Sequence, residues 1–137
     1  MEIQLWRNAT VLLKINGLKL LIDPMLGAKG SFGVFPWTND TRLNPLTDLP
    51  FSANKLNSLL SELDAVVVSH LHPDHWDAAA VKLLDKKLPV ICPKPIAQII
   101  SDYGGRLRTK SAVASPSALT VTVTVFAGNR SCQASIV

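Results

Sequence analysis

The stretch Asp64-Ala65-Val66-Val67-Val68-Ser69-His70-Leu71-His72-Pro73-Asp74-His75-Trp76-Asp77 decides how this chain is read. Asp64 to Ser69 reads as a strand, its centre Ala65 to Val68 wholly apolar and mostly β-branched, as expected of a strand covered on both faces. It ends in the only three histidines of the chain, all within six residues. If placement were indifferent, that clustering would be very improbable. The histidines follow the C-terminal end of a buried strand, where open α/β sheets place their chemistry. A helix is expected from Trp76 to Lys87, which sets Asp74 near a helix N-terminus. In extended chain His70 and His72 project to one side, and Pro73 keeps His72 out of the α region. Two imidazoles so placed can share one metal ion at about 2.0–2.1 Å. Pro73 then turns the chain, so Asp74 and His75 face a neighbouring position. That mixed oxygen–nitrogen set suits zinc, manganese or iron. Two ions about 3.5–4 Å apart would hold a bridging hydroxide. The alternative is a surface loop whose histidines coincide by chance; spacing, strand and helix context all speak against it.

Upstream, Ile3 to Trp6 and Thr10 to Ile15 read as strands. Asn16-Gly17 is a hairpin turn, and Leu18 to Ile22 is the returning strand, so the chain opens as a β-meander ending at Asp23-Pro24. From Met25 to Pro50 glycines and prolines punctuate a stretch that carries Phe32, Phe35 and Trp37. A loop this long is often functional. Its aromatics either line the mouth of a site or pack inward on the core. Ser52 is a helix cap, with Leu56, Leu59, Leu60 and Leu63 at helical spacing behind it. Downstream, Pro89 to Cys92 is a strand and Lys94 to Tyr103 a helix stopped by Gly104-Gly105. Leu119 to Phe126 alternates Thr with Val and is the last clear strand. The order implies an α/β or mixed layer fold with helices packed on sheets.

A chain of 137 residues fits one domain and, near this size, buries roughly 68–70% of its unfolded surface. The 47% hydrophobic and 18% charged fractions exclude a disordered chain. No apolar run approaches the roughly 20 residues of a membrane span, and the N-terminus has no basic region followed by an apolar one. The expectation is a cytoplasmic protein with no membrane partner. Cys92 and Cys132 lack metal or redox spacing, and Cys92 reads as a small buried hydrophobe. A net charge of +4 allows an anionic partner. The basic residues are scattered apart from Lys86-Lys87 and Arg106/Arg108/Lys110, so a solvated surface is the better reading and nucleic-acid binding the weaker one.

The segment from strand through Ser69-His70-Leu71-His72-Pro73-Asp74-His75-Trp76-Asp77 to helix resembles the His-x-His-x-Asp-His signature of the metallo-β-lactamase superfamily. Leu21-Ile22-Asp23-Pro24-Met25-Leu26, Asn44-Pro45-Leu46, Leu49-Pro50-Phe51 and Asp64 to Ser69 resemble its ascorbate-6-phosphate-lactonase-like branch. The resemblance runs from the N-terminus to about Thr124. It implies an αββα sandwich of two mixed sheets with a dinuclear site at one edge. His70 and His72 would bind one metal ion and Asp74 and His75 a second. Zinc (Zn2+) is the expected ion, one or two, with manganese or iron as alternatives. Asp74 would also orient or deprotonate the attacking water. Asp23 matches a family aspartate that supports a ligand histidine; a simple turn role before Pro24 is the other reading. The activity implied is hydrolysis of an ester-like bond, a lactone or phosphodiester, in a small-molecule substrate.

The sequence departs from the family after Val125. A further histidine, a bridging aspartate and a final histidine are expected there, and residues 126–137 (Phe-Ala-Gly-Asn-Arg-Ser-Cys-Gln-Ala-Ser-Ile-Val) supply none of these histidines. The chain therefore reads as a single, partial domain over 1–137, truncated relative to the family. Two classes follow: a metal-dependent hydrolase, or a catalytically inactive remnant or interaction module with a partial metal site. An uncovered sheet would also favour self-association.

Overall fold

The computed structural model describes residues 1–36 and 38–102, together with the strands at 121–127 and 130–136. Strands β1 (Glu2–Arg7), β2 (Thr10–Ile15) and β3 (Leu18–Ile22) form the expected meander. Both pairings are antiparallel, with Leu13 opposite Ile3 in one and Leu20 in the other. The β2–β3 turn uses Asn16 and Gly17 at φ 50° and 78°. That is the left-handed pair a two-residue hairpin requires and Asn-Gly tolerates.

Helix α1 (Ala53–Ser61) then carries the chain to β4 (Ala65–Val67), which pairs parallel with β3. Ser52 caps α1, its hydroxyl accepting from Lys55 N at 3.3 Å. Helix α2 (Ala78–Leu83) leads to β5 (Val90–Ile91), parallel to β4, and α3 (Lys94–Asp102) follows. Adjacent parallel strands need crossovers of this kind. The result is a mixed five-stranded sheet in the order β1-β2-β3-β4-β5. Strand alternation then divides the side chains. Leu12, Leu21, Val66 and Val90 pack with Leu56 and Leu60 of α1, Ala80 of α2 and Ile100 of α3. Leu13, Leu18, Leu20 and Ala65 form a second buried cluster. Two buried faces explain why these strands lack the polar half of an amphipathic pattern. The α/β class is as expected.

Helix α2 is shorter than its sequence suggests. It starts not at Trp76 but after Asp77, whose Oδ1 accepts from Ala80 N at 2.7 Å. It ends before Lys87 because Asp85 takes the backbone into a turn, accepting from Lys87 N at 2.8 Å through its side chain and from Leu88 N at 3.0 Å through its carbonyl. Asp side chains compete with helical bonding in this way. Strand β6 (Val121–Ala127) pairs antiparallel with β7 (Arg130–Ile136) as a separate two-stranded sheet. The second of these strands lies in the tail where no element was expected. Gly104-Gly105, Trp37 and the Arg106/Arg108/Lys110 group lie outside the described residues.

The 25–50 loop is a folded element. Gly33 and Asn44 bridge antiparallel, and Phe32 N donates to Asn44 O at 2.9 Å. Its anchor is Arg7, only 4% exposed. The guanidinium donates to Met25 O at 2.6 Å, Gly27 O at 2.5 Å and Thr47 O at 3.0 Å. Burial lowers its pKa, with Asp77 and Asp48 opposing the shift. Phe32 and Phe35 stack on each other at 4.7 Å, and Phe32 and Val34 are exposed. These two rings therefore do not pack into the core.

Candidate metal centre

The site begins where β3 and β4 end side by side. Asp23 N donates to Val67 O at 2.8 Å, so the parallel ladder reaches to the last residue before the turn at Pro24. Val68 is fully buried and donates to Ile91 O at 2.8 Å. The chain leaves the sheet at Ser69, and the histidines emerge at its edge. His72 O then accepts from both His75 N at 2.9 Å and Trp76 N at 3.0 Å. Pro73 opens this single turn, a position its fixed φ suits. Asp74 thus sits inside a tight turn and not at the N-terminus of α2, whose cap is Asp77.

Three imidazoles and a carboxylate come together. The His70 ring lies 4.5 Å from His72 and 3.9 Å from His75, centroid to centroid. His70 Nε2 faces His72 Nδ1 at 3.1 Å. His75 Nε2 lies 3.6 Å from Asp74 Oδ2. Two donors bound to one zinc ion at the tetrahedral angle stand roughly 3.4 Å apart, a value these two pairs bracket. His70 with His72, and Asp74 with His75, are thus two pairs of donor atoms spaced so that each pair could meet one divalent ion. Among the described residues no group of three such side chains closes around either position.

Behind the histidines stands Asp23, 6% exposed and at φ 46°. Its Oδ1 accepts from Ser69 N at 2.7 Å. Its Oδ2 lies 2.8 Å from Ser69 Oγ and 2.9 Å from His75 Nδ1. Thr10 supports the same corner: its hydroxyl donates to Asp23 O at 2.8 Å and accepts from Met25 N at 2.9 Å. The left-handed backbone at Asp23 turns the chain out of β3 while the carboxylate points across to the end of β4. The one residue thus makes the turn before Pro24 and also contacts Ser69 and His75.

Three contributors carry no sequence signal. Ser69 precedes the motif as an ordinary serine. Arg7 lies one strand away from the loop it holds. Asp77 looks like any helix cap, yet its Oδ2 also accepts from Gly27 N at 2.7 Å, tying the loop to the helix after the motif. A Cβ on Gly27 would stand 3.0 Å from that oxygen and 2.5 Å from Ser31 Oγ, so only glycine fits without a shift.

Known proteins resemble this chain in sequence and in fold. The sequence profile described as a beta-lactamase superfamily domain matches residues 19–134. The UPF0173 protein YddR of Bacillus subtilis is 44% identical over 89 residues, 64% of this chain and 34% of its own length. An N-acyl-phosphatidylethanolamine-hydrolyzing phospholipase D 1 from Caenorhabditis elegans is 38% identical over 86 residues, 61% of this chain and 21% of its own. Two solved structures, an isothiocyanate hydrolase from Delia radicum gut bacteria and a possible metal-dependent hydrolase from Veillonella parvula DSM 2008, superpose with TM-scores of 0.73 and 0.70. Each is 34% identical, covering 82% of this chain and 42% of the other. The chain thus spans well under half the length of these relatives. With its mixed sheet, its histidine turn and a profile match over most of its length, the chain belongs to the metallo-β-lactamase superfamily.

Proposed function

We propose that this chain carries the first part of the metal site of a metal-dependent hydrolase that cleaves an ester-like bond, a phosphodiester or a lactone, in a small-molecule substrate. The observation that carries the reading is the His70 Nε2–His72 Nδ1 separation of 3.1 Å, with Asp74 and His75 directly beside it. Two facing lone pairs at that distance repel each other unless a proton or a cation lies between them. His70 and His72 would hold one ion, Asp74 and His75 a second, zinc being the expected metal. A divalent ion supplies Lewis acidity and lowers the pKa of water toward about 7. Asp74, half-buried beside His75, is the acceptor for the proton of the attacking water. Asp23 fixes the His75 ring, so Nε2 keeps its direction toward Asp74.

The relatives support hydrolysis. By name, one is an N-acyl-phosphatidylethanolamine-hydrolyzing phospholipase D and another an isothiocyanate hydrolase. We also infer a cytoplasmic setting, in keeping with the free, buried thiol of Cys92. No helix among the described residues is long and apolar enough to cross a membrane. A second reading, a partial metal site without turnover, is favoured by one observation: two protein donors per position and no group of three among the described residues. Metal analysis of the purified chain with and without His70→Ala/His72→Ala, alongside turnover of bis(p-nitrophenyl) phosphate and of a simple lactone, separates the readings. Bound zinc lost in the double variant together with turnover supports the hydrolase. Bound zinc without turnover supports the second reading. Metal content unchanged by the substitutions refutes both.

A further inference from the structure

Ser69 is exposed, yet its hydroxyl is aimed at the polar atoms behind the site: Asp23 Oδ2 at 2.8 Å, His70 Nδ1 at 2.9 Å and His75 Nδ1 at 3.3 Å. The protons in this group can be assigned by counting donors. An ionised carboxylate only accepts. Asp23 Oδ2, with two neighbours inside 3 Å, therefore needs a proton from each. His75 supplies one from Nδ1–H, and Ser69 supplies its only one from Oγ. Were Ser69 instead to donate to His70, two bare oxygens would face each other at 2.8 Å. With its proton committed to Asp23, Ser69 Oγ offers His70 nothing but a lone pair, so His70 Nδ1 must carry a hydrogen. In the neutral ring this is the Nδ1–H tautomer, and Nε2 then holds the free lone pair that faces His72.

We propose that Ser69 is a positioning residue that relays Asp23 to His70, so that one buried carboxylate fixes two rings: His75 directly and His70 through the serine hydroxyl. Both rings are thereby locked with Nε2 unprotonated and turned toward the two metal positions. The relay is a property of the metal-free chain. Its consequence for metal affinity rests on the metal-site reading above, in which His70 Nε2 is a ligand atom. Outer partners of metal-binding histidines tune affinity by fixing tautomer and ring orientation.

The test uses the full, chelator-treated chain labelled with 15N. Long-range 1H–15N NMR reads the tautomer of each of the three imidazoles directly. In the wild type His70 and His75 should both appear as Nδ1–H. Ser69→Ala should leave His75 unchanged and release His70 into a mixture of tautomers. Ser69→Thr, which keeps the hydroxyl at an exposed position, should retain the single His70 form. Zinc affinity, read by competition with a chromophoric chelator, should fall about ten- to a hundredfold in Ser69→Ala and stay near wild type in Ser69→Thr. A wild-type His70 protonated on Nε2, or a His70 spectrum indifferent to Ser69→Ala, overturns the proposal. The expected tautomers in a wild type that takes up no zinc would uphold the relay and sink the metal-site reading, so the two failures are distinct.

Discussion

Asp23 does two jobs that different substitutions separate. Its φ of 46° costs an ordinary L-residue roughly 1–2 kcal/mol, whereas Asn and Asp tolerate that region and Gly adopts it freely. Its carboxylate receives hydrogen bonds from Ser69 and His75. Asp23→Asn keeps the backbone preference and removes the charge. Asp23→Gly keeps the backbone and removes every side-chain bond, and Asp23→Ala loses both. Urea denaturation should therefore rank stability as wild type, then Asn, with Ala below Gly; Ala equal to Gly would show that the left-handed turn carries no strain. A second residue-scale prediction concerns Asp40, which accepts Arg42 Nη2 at 2.6 Å and has its pKa lowered to about 2, chiefly by that side-chain hydrogen bond. A carboxyl depressed in the fold stabilises above its ordinary value of 3.8, and that contribution disappears as pH falls through about 2. Carboxyl 13C titration should find Asp40 near 2 and, in Arg42→Ala, back in the ordinary carboxylate range. At this scale the cluster of His70, His72 and His75 was legible because histidines are scarce and fall within six residues. Ser69 and Arg7 were not, since a serine before a histidine and an arginine at a strand end look the same whether or not they serve a distant carbonyl or carboxylate.

The unit that presents the histidines is built from elements tied crosswise. Asp77 caps α2 and takes Gly27 N, while Arg7 at the end of β1 takes the carbonyls of Met25, Gly27 and Thr47. The 25–50 loop is thus pinned to the sheet at both ends and, at Gly27, to the helix behind the motif as well. Gly27→Ala drives a methyl against Ser31 Oγ and Asp77 Oδ2. Such overpacking costs about 1–3 kcal/mol, and amide hydrogen exchange should report it as faster opening at Ala28–Ser31 and at the first turn of α2 together. Opening confined to the loop would show that Asp77 does not couple the two. Arg7→Met keeps the apolar stem and orphans the carbonyls it satisfied, at roughly 1–3 kcal/mol for each that stays dry. The meander, α1 and the later succession of strands and helices along the chain followed from periodicity and from Asn16-Gly17. Helix ends did not. Both Trp76 and Asp77 stand at plausible starts, and only the hydrogen bond to Ala80 N decides between them. Asp85 ends α2 by bonding its own downstream backbone, a choice invisible to apolar spacing. Strand β7 escaped notice because Ser, Cys, Gln and Ala have little strand preference of their own.

At the scale of the whole molecule, the outer edge of the five-stranded sheet is β1, which among the described residues pairs with β2 alone. Its Ile3 and Leu5 are 62% and 65% exposed. Both project to one side by strand alternation. An edge strand with open backbone donors and acceptors and an apolar stripe is a template for pairing with another strand. Acidic and basic groups, the usual protection, are confined to its ends at Glu2 and Arg7, and Arg7 is buried. The opposing influence is the net charge of +4, which makes copies repel and which salt screens over about 10 Å at 0.1 M. The two effects together predict association that strengthens as salt is added, the reverse of a charge-driven complex. Sedimentation velocity of the wild-type chain should show the weight-average mass rising with protein concentration and rising further between low and moderate salt. Leu5→Lys puts a charge in the middle of the stripe without disturbing the β1–β2 ladder, and should restore the monomer at both salt concentrations. A wild type that stays monomeric throughout would show that the edge is already protected. Association that persists in Leu5→Lys would place the contact elsewhere on the surface.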